Sequence, residues 1–447
     1  MKRMLALFCA VGFAAALATA CGKTQTDDAG ITADAMADPY GGVSQALTDA
    51  LQSSGNVTLY WDTSERSDQE QDFAAYFEKY YGGTVEFRFC PFDDEGATFL
   101  RDMAAGDSPD VFRLTPGLWP RAALRNMSCS VAQLKEQGVL GLNHPALEKY
   151  RDMTEAAFSY NGACYALSIC YASPAVVAVN RELFNSYMVK SPELYYQEGN
   201  WTYETLLRCC NELGRTVSGQ TTIYGACLEN PLWFLQANDA DPMLLSGSAL
   251  TCGLLSTRSL HSLAFCRSLI AGSAFTTDPQ DFLRGETGLL CDTADALAPI
   301  LMQCAFDWEI LPFPYGADNV SGDLPGTVIG WSVSTGCRNV QGAVNFILAR
   351  QVFSDFFYNV DQGALWDTGY AQYSEKQRAL ILSAATMVRP ACFPHMGNLP
   401  EQEEAFWAAL KGNEPVYDVA ERFAKIIQAQ IRAEMGEQVQ MTDPPSH

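Results

Sequence analysis

The sequence predicts an α/β fold built on an open sheet, and three features predict it. Strand-like and helix-like runs alternate from Val57 to Leu114, glycines stop the helical runs, and a 48% apolar content is enough to bury a sizeable core. Val57-Thr58-Leu59-Tyr60-Trp61 is rich in β-formers. Ser67 and Glu70 stand at capping-box spacing ahead of Phe73, Tyr76, Phe77, Tyr80 and Tyr81, which share one helical face and end at Gly82-Gly83. Val85 to Phe89 alternates as a strand, Glu95 to Ala105 reads as a helix stopped by Gly106, and Pro109 to Leu114 is a third strand. In open α/β sheets ligands lie beyond the carboxyl ends of the strands. The loops after Trp61 and Leu114 are therefore the first candidate walls of a site.

Further along, Ala166 to Val179 is a long β-prone stretch, and Trp201 to Leu213 is helical with Leu206, Leu207, Cys210 and Leu213 apolar and Gly214 as its stop. Ile310 to Phe313 and Gly326 to Ser334 read as strands, and Gln341 to Phe353 as a helix. The last helix runs from Pro415 to Glu434, with Val416, Ala420, Phe423 and Ile427 as its buried stripe. No internal repeat is evident.

The first residues point to export. Lys2 and Arg3 precede an apolar run from Met4 to Leu17, and Ala18-Thr19-Ala20-Cys21 follows. This resembles a lipoprotein signal, which implies removal of residues 1–20 and acylation (palmitate) of Cys21 as the membrane anchor. Residues 21–53 are small, polar and acidic, as in a flexible tether. With 29 basic against 52 acidic residues and a net charge of −23, the chain is a poor partner for nucleic acid or anionic lipid headgroups. Its contact with the membrane is expected through the anchor alone. The 15 cysteines include no Cys-x-x-Cys pair, so neither a zinc nor a thioredoxin-like motif is indicated, and most sit in apolar segments as small core residues do.

The order of segments resembles the family 1 extracellular solute-binding proteins, the substrate-binding lipoproteins of ABC importers. The resemblance runs from Val57 to Met435 and rests on a series of short matches. Ser108-Pro109-Asp110-Val111 is similar to a Pro-Asp strand, and Tyr160 to Leu167 to an Asn-Gly-Lys-x-Tyr crossing in which Ala163 replaces the lysine. Val179 to Phe184, Trp201 to Leu206, Phe282 to Thr287 and Lys411 to Val416 are similar to further family segments. The resemblance implies two discontinuous α/β lobes, 54–158 plus 310–352 and 159–309 plus 353–440, joined by three hinge crossings near Ser159–Ala166, Asp307–Pro312 and Ala349–Ser354. It also implies a monomer outside the cytoplasmic membrane that captures a small molecule, a sugar above all, and hands it to permease subunits without a cofactor or a metal.

A sugar presents apolar faces and a rim of hydroxyls, so its site needs aromatic platforms and paired polar side chains. The candidates are Trp61, Asp62, Ser64 and Glu65 after the first strand, Trp119 after the third, Tyr165 and Tyr171 at and beyond the first crossing, and Trp331 on the strand between crossings. Leu228 to Trp233 resembles a ligand segment of the family, which adds Glu229 and Trp233. Where the family often has an aromatic turn, this chain has Asp292-Thr293-Ala294-Asp295. Trp407 is expected in the core. The four histidines form no His-Glu-x-x-His, and neither a nucleophile elbow nor a phosphate loop occurs, so the expectation is a binding protein and not an enzyme. A lipid-anchored glycan hydrolase and a ligand-binding sensory or scaffold lipoprotein are the alternatives from other classes.

Overall fold

The computed structural model describes residues 44–61, 68–90, 95–217, 220–228, 232–246, 249–271, 275–357, 370, 373–390 and 399–435. Cys21, the signal segment and nearly all of the tether lie outside them. Among the described residues no helix is long and apolar enough to cross a membrane.

Among the described residues a ten-stranded sheet organises the molecule, with Arg215–Val217 as a short flank on Gln220–Leu228 and nine further strands: β1 (Gly55–Trp61), β2 (Gly83–Phe89), β3 (Val111–Leu114), β4 (Ser168–Asn180), β5 (Gln220–Leu228), β6 (Phe275–Thr276), β7 (Thr287–Thr293), β8 (Trp308–Pro312) and β9 (Gly326–Val333). The first half of the sheet has the order β2-β1-β3-β9-β4, in which β1, β2 and β3 are parallel and β9 runs against both its neighbours. The second half re-uses β4: Ala175 to Val179 pairs antiparallel with β7 on one edge, and Val176 to Asn180 with β8 on the other. β7 continues in parallel to β5, and β5 to β6. A strand caught between two neighbours and covered on both faces must be apolar throughout. Ala175 to Val179 is, with every residue at 0% exposure.

In the first half, helix α1 (Asp68–Tyr81) lays its aromatic face on helix α2 (Val340–Phe357). Phe73 meets Phe346 and Phe353 edge-on at 5.2 and 5.5 Å, and the Arg350 guanidinium sits over the Phe73 ring at 4.5 Å. Gly82 closes α1 at φ +58°, and a Cβ on Gly83 would stand 2.3 Å from Phe77, so this glycine pair is needed both for the turn and for the packing. Asp110 fastens the strand ends. Its carboxylate accepts the Thr58 N–H and hydroxyl at 2.9 Å each and the Arg338 N–H at 3.1 Å.

The segments expected as crossings lie elsewhere. Ser159–Tyr160 and Ala163–Cys164 form a hairpin turned by Asn161 and Gly162 at φ +50° and +74°, and the chain passes between half-sheets further on, at Ser173-Pro174-Ala175 within β4. β8, expected at the second crossing, pairs along its whole length with β4. The return passage is at Pro325-Gly326, where Ala175 N–H donates to Pro325 O at 2.9 Å. Ala349–Ser354 lies inside α2 and packs on the first half. Periodicity locates elements well, but which sheet a strand joins is decided by non-local pairing.

Before Pro325 the chain is pinned to the second half by a polar knot. Asp239 accepts the Val320 and Ser321 N–H groups at 2.8 and 3.1 Å, and Asn238 accepts Asp318 N–H at 2.8 Å. Asp241 is less well served. Its Oδ1 is shielded from solvent without a hydrogen bond, and burial, followed by the charges of Asp323 and Asp239, pushes its carboxyl up to about 7. A folded pKa above the ordinary carboxylate value means that the folded chain holds more protons between roughly pH 4 and 7, so stability falls as pH rises through that window. Asp241→Asn should remove this loss. Urea unfolding at pH 8 should show the variant more stable by about 1–2 kcal/mol, a figure reduced for the partial exposure of the side chain, with the difference gone near pH 4. Equal stability at pH 8 would show that the carboxylate is solvated there.

Candidate functional site

The two half-sheets present their carboxyl ends to one level of β4. In the first half, β1 and β3 run parallel to β4 and end at Trp61 and Leu114, before β4 reaches Ser173. In the second, β5 and β7 run against β4, so Leu228 and Thr293 end near Ala175, with Thr293 paired to it directly. The carboxyl ends of four strands from both halves are therefore directed toward the passage at 173–175, the arrangement in which open sheets bind ligands.

The floor at this level is made of phenols and carboxylates. Ser173 Oγ donates to Asp295 Oδ1, and Tyr171 lies within hydrogen-bonding reach of both. Asp295 belongs to helix α3 (Ala294–Leu301), which starts directly after β7. Tyr370 OH donates to Ala172 O at 3.0 Å and Tyr373 OH to Ala294 O at 2.6 Å, so these two tyrosines are tied to the crossing strand and to this helix. Burial, and then the charge of Asp295, hold the Tyr171 phenol well above its ordinary value; burial, Tyr370, Asp295 and Asp292 do the same for Tyr373. Both phenols therefore stay protonated. Tyr171 is half-buried, and together with Asp295 it offers a donor beside an acceptor, the pairing that a hydroxyl-bearing ligand meets.

The sequence candidates divide into three groups. Tyr171 lies on the floor, and the Trp61 backbone closes β1 opposite Phe89. Asp62, Ser64, Glu65 and Glu229 lie outside the described residues. The other three tryptophans need correction, because they are packed and not platforms. Trp119, at 2% exposure, stands edge-on to Phe158 at 5.5 Å with Tyr165 tilted beside it at 6.2 Å. Trp233 is 7% exposed against Phe313 at 6.2 Å, and Trp331 is 3% exposed against Phe346 at 6.0 Å, with Arg350 at 5.9 Å from its ring. Removing so much apolar area from water outweighs keeping it open for a ligand. Tyr165 is half-buried, and its carbonyl accepts the Ser128 and Ser332 hydroxyls at 3.2 and 2.7 Å. Trp407, expected in the core, is 9% exposed against Phe406.

Ser173, Asp295, Tyr370 and Tyr373 were not singled out by sequence. A signal existed for Ser173, since Ser-Pro interrupts an otherwise apolar strand. Asp295 stood in view only as part of a turn lacking the family's aromatic residue. Among the described residues no group of three or more His, Cys, Asp or Glu is placed to hold a metal ion.

No protein-family model matches this chain, and no curated protein matches it. Solved structures do. An ABC substrate-binding protein from Listeria monocytogenes in complex with cycloalternan is similar at 16% identity and a TM-score of 0.60, over 86% of this chain and 100% of that one. An extracellular solute-binding protein from Staphylococcus aureus in complex with maltose is similar at 14% identity and a TM-score of 0.60, over 85% and 98%. UgpB from Mycobacterium tuberculosis in complex with glycerophosphocholine is similar at 18% identity and a TM-score of 0.59, over 85% and 99%. At these identities the likeness establishes the fold, which is the two-lobe architecture of binding proteins.

The packing of Trp119 yields a test. Trp119→Ala should cost about 3–5 kcal/mol of stability, as for other buried tryptophans cut to alanine. Thermal unfolding of the variant should drop by many degrees. A variant that unfolds like the parent would return this tryptophan to the cleft.

Proposed function

We propose that this chain is the extracytoplasmic ligand-capture subunit of an ABC importer, anchored by lipid on Cys21, and that it binds a carbohydrate between its two lobes and delivers it to the permease. The observation that carries the reading is the convergence of strand ends from both half-sheets on Ser173–Ala175, floored by Tyr171 and Asp295. The fold and the ligands bound by its structural neighbours, cycloalternan and maltose among them, support it. The work is binding, not catalysis: the site orders a hydroxyl-bearing solute, and closure of the lobes removes it from water. The short helix Arg121–Leu124 packs on the C-terminal helix Val416–Met435, and Leu124 joins the core of the second half, so the two halves also touch away from the passage.

Calorimetry with maltose, maltotetraose and cycloalternan tests the reading, with glycerophosphocholine as the non-sugar control. A sugar should bind and compact the protein in solution scattering. Asp295→Asn and Tyr171→Phe should each weaken it by about ten- to a hundredfold, the scale of one hydrogen bond with a charged partner. Binding of the control alone would overturn the carbohydrate assignment; unchanged affinity in both variants would move the site away from this floor. In the producing cell, labelled fatty acid should enter the parent chain and be absent from Cys21→Ala.

A further inference from the structure

Twelve cysteines fall among the described residues, all of them free thiols. Six are sealed in the core: Cys90, Cys209, Cys210, Cys227, Cys266 and Cys291 are at 0–1% exposure, where no oxidant reaches them. Two others stand apart. Cys129 follows the short helix after β3, and Cys337 lies in the turn after β9, about 200 positions later. Backbone pairing brings their segments together. Ser128 bridges Ser334, and Cys129 N–H donates to Val333 O at 2.8 Å. Both cysteines then converge on one atom: the Ser334 carbonyl oxygen takes the Cys129 thiol at 3.5 Å and the Cys337 N–H at 3.1 Å. The Cys337 side chain is partly exposed, whereas Cys129 is 7% exposed just beneath.

We propose that Cys129 and Cys337 are an oxidisable pair that closes to a disulfide, joining the segment after β3 to the turn after β9. The oxidant is a small-molecule disulfide. The accessible Cys337 thiolate attacks it, forming a mixed disulfide and releasing one small thiol. Cys129, deprotonated in turn, attacks the Cys337 sulfur; the new S–S bond forms as the mixed one breaks and a second small thiol leaves. The protein loses two protons and two electrons, and the oxidant gains both.

Two features fit this assignment. Cys337 now donates its thiol to Asp110 Oδ1 at 3.1 Å, and the disulfide removes that donor. Asp110 is left satisfied, because both groups of Thr58 and the Arg338 N–H remain on it. Burial holds both thiols above their ordinary values, with the Asp110 charge adding to the effect at Cys337. The reaction is accordingly slow in the folded protein and faster during folding, before the Asp110 knot sets. Exported chains meet oxidants at that stage.

The experiment refolds the full chain from urea in a buffer of reduced and oxidised glutathione, traps remaining thiols by alkylation and maps disulfides by mass spectrometry. The expected result is a Cys129–Cys337 cross-linked peptide, with the urea midpoint of the oxidised protein shifted upward and the shift lost on adding dithiothreitol. Cys129→Ala should refold but stop at a glutathione adduct on Cys337, and Cys337→Ser should leave Cys129 alkylated. The proposal is overturned if both cysteines of the refolded parent are alkylated, if Cys337 stops at the adduct in the parent as well, or if either cysteine pairs elsewhere.

Discussion

Two backbones touch at the centre of this molecule. Gly326 lies against Ser173 and Pro174 so closely that a Cβ would stand 2.4 Å from the Ser173 carbonyl oxygen, and its φ of +152° disfavours any other residue. Beside it, Ala175 N–H reaches Pro325 O. Pro174 offers no N–H to a ladder, so it suits the one point where β4 exchanges one set of neighbours for another. Everything on either side depends on this contact. It sets the level at which β4 leaves the first half-sheet and enters the second, and hence where the carboxyl ends of β5 and β7 come to rest opposite those of β1 and β3.

The same contact makes the passage narrow, and a narrow passage can serve as a hinge. Tyr370 bonds Ala172 O within a few residues of this contact. Asp295 then couples the halves by a hydrogen bond, since it belongs to the second half through α3 while its partner Ser173 lies where β4 is still paired with the first. A ligand that bonds Asp295 and Tyr171 engages both sides of the passage at once, which is the differential contact needed to favour one lobe arrangement over another.

Much of this frame was legible in the sequence, for reasons that can be named. Phe73, Tyr76, Phe77 and Tyr81 read as one face of a helix, and the structure buries all four. Trp201 to Leu213 reads as a helix stopped by Gly214, and the helix runs Tyr203–Leu213 with Gly214 at its cap. Pro109-Asp110 reads as a strand beginning, but not as the point where Thr58, 52 positions away, and Arg338, 228 positions away, are fastened. Local chemistry is written locally; partners are not. The tryptophans show the same limit. A Trp on a Pro/Gly loop must find cover, and the sequence does not say whether a ligand or the protein supplies it. For Trp119 the cover is Phe158 and Tyr165, which flank a hairpin some forty positions later. The crossings were displaced because a strand's register and sheet are settled by neighbours far along the chain.

The departure at Asp292-Thr293-Ala294-Asp295 then acquires a physical reading. An aromatic turn there would give a ligand a flat face to lie on; this chain instead brings a carboxylate to the start of α3, beside a phenol kept protonated by its surroundings. With Trp119, Trp233 and Trp331 packed, the proposed reading rests on directional hydrogen bonds more than on stacking. Stacking tolerates any sugar with an apolar face, whereas a fixed donor–acceptor pair demands a hydroxyl at a set position and leaves buried polar groups unpaired when it is missing. A floor of the proposed kind would therefore trade breadth for discrimination.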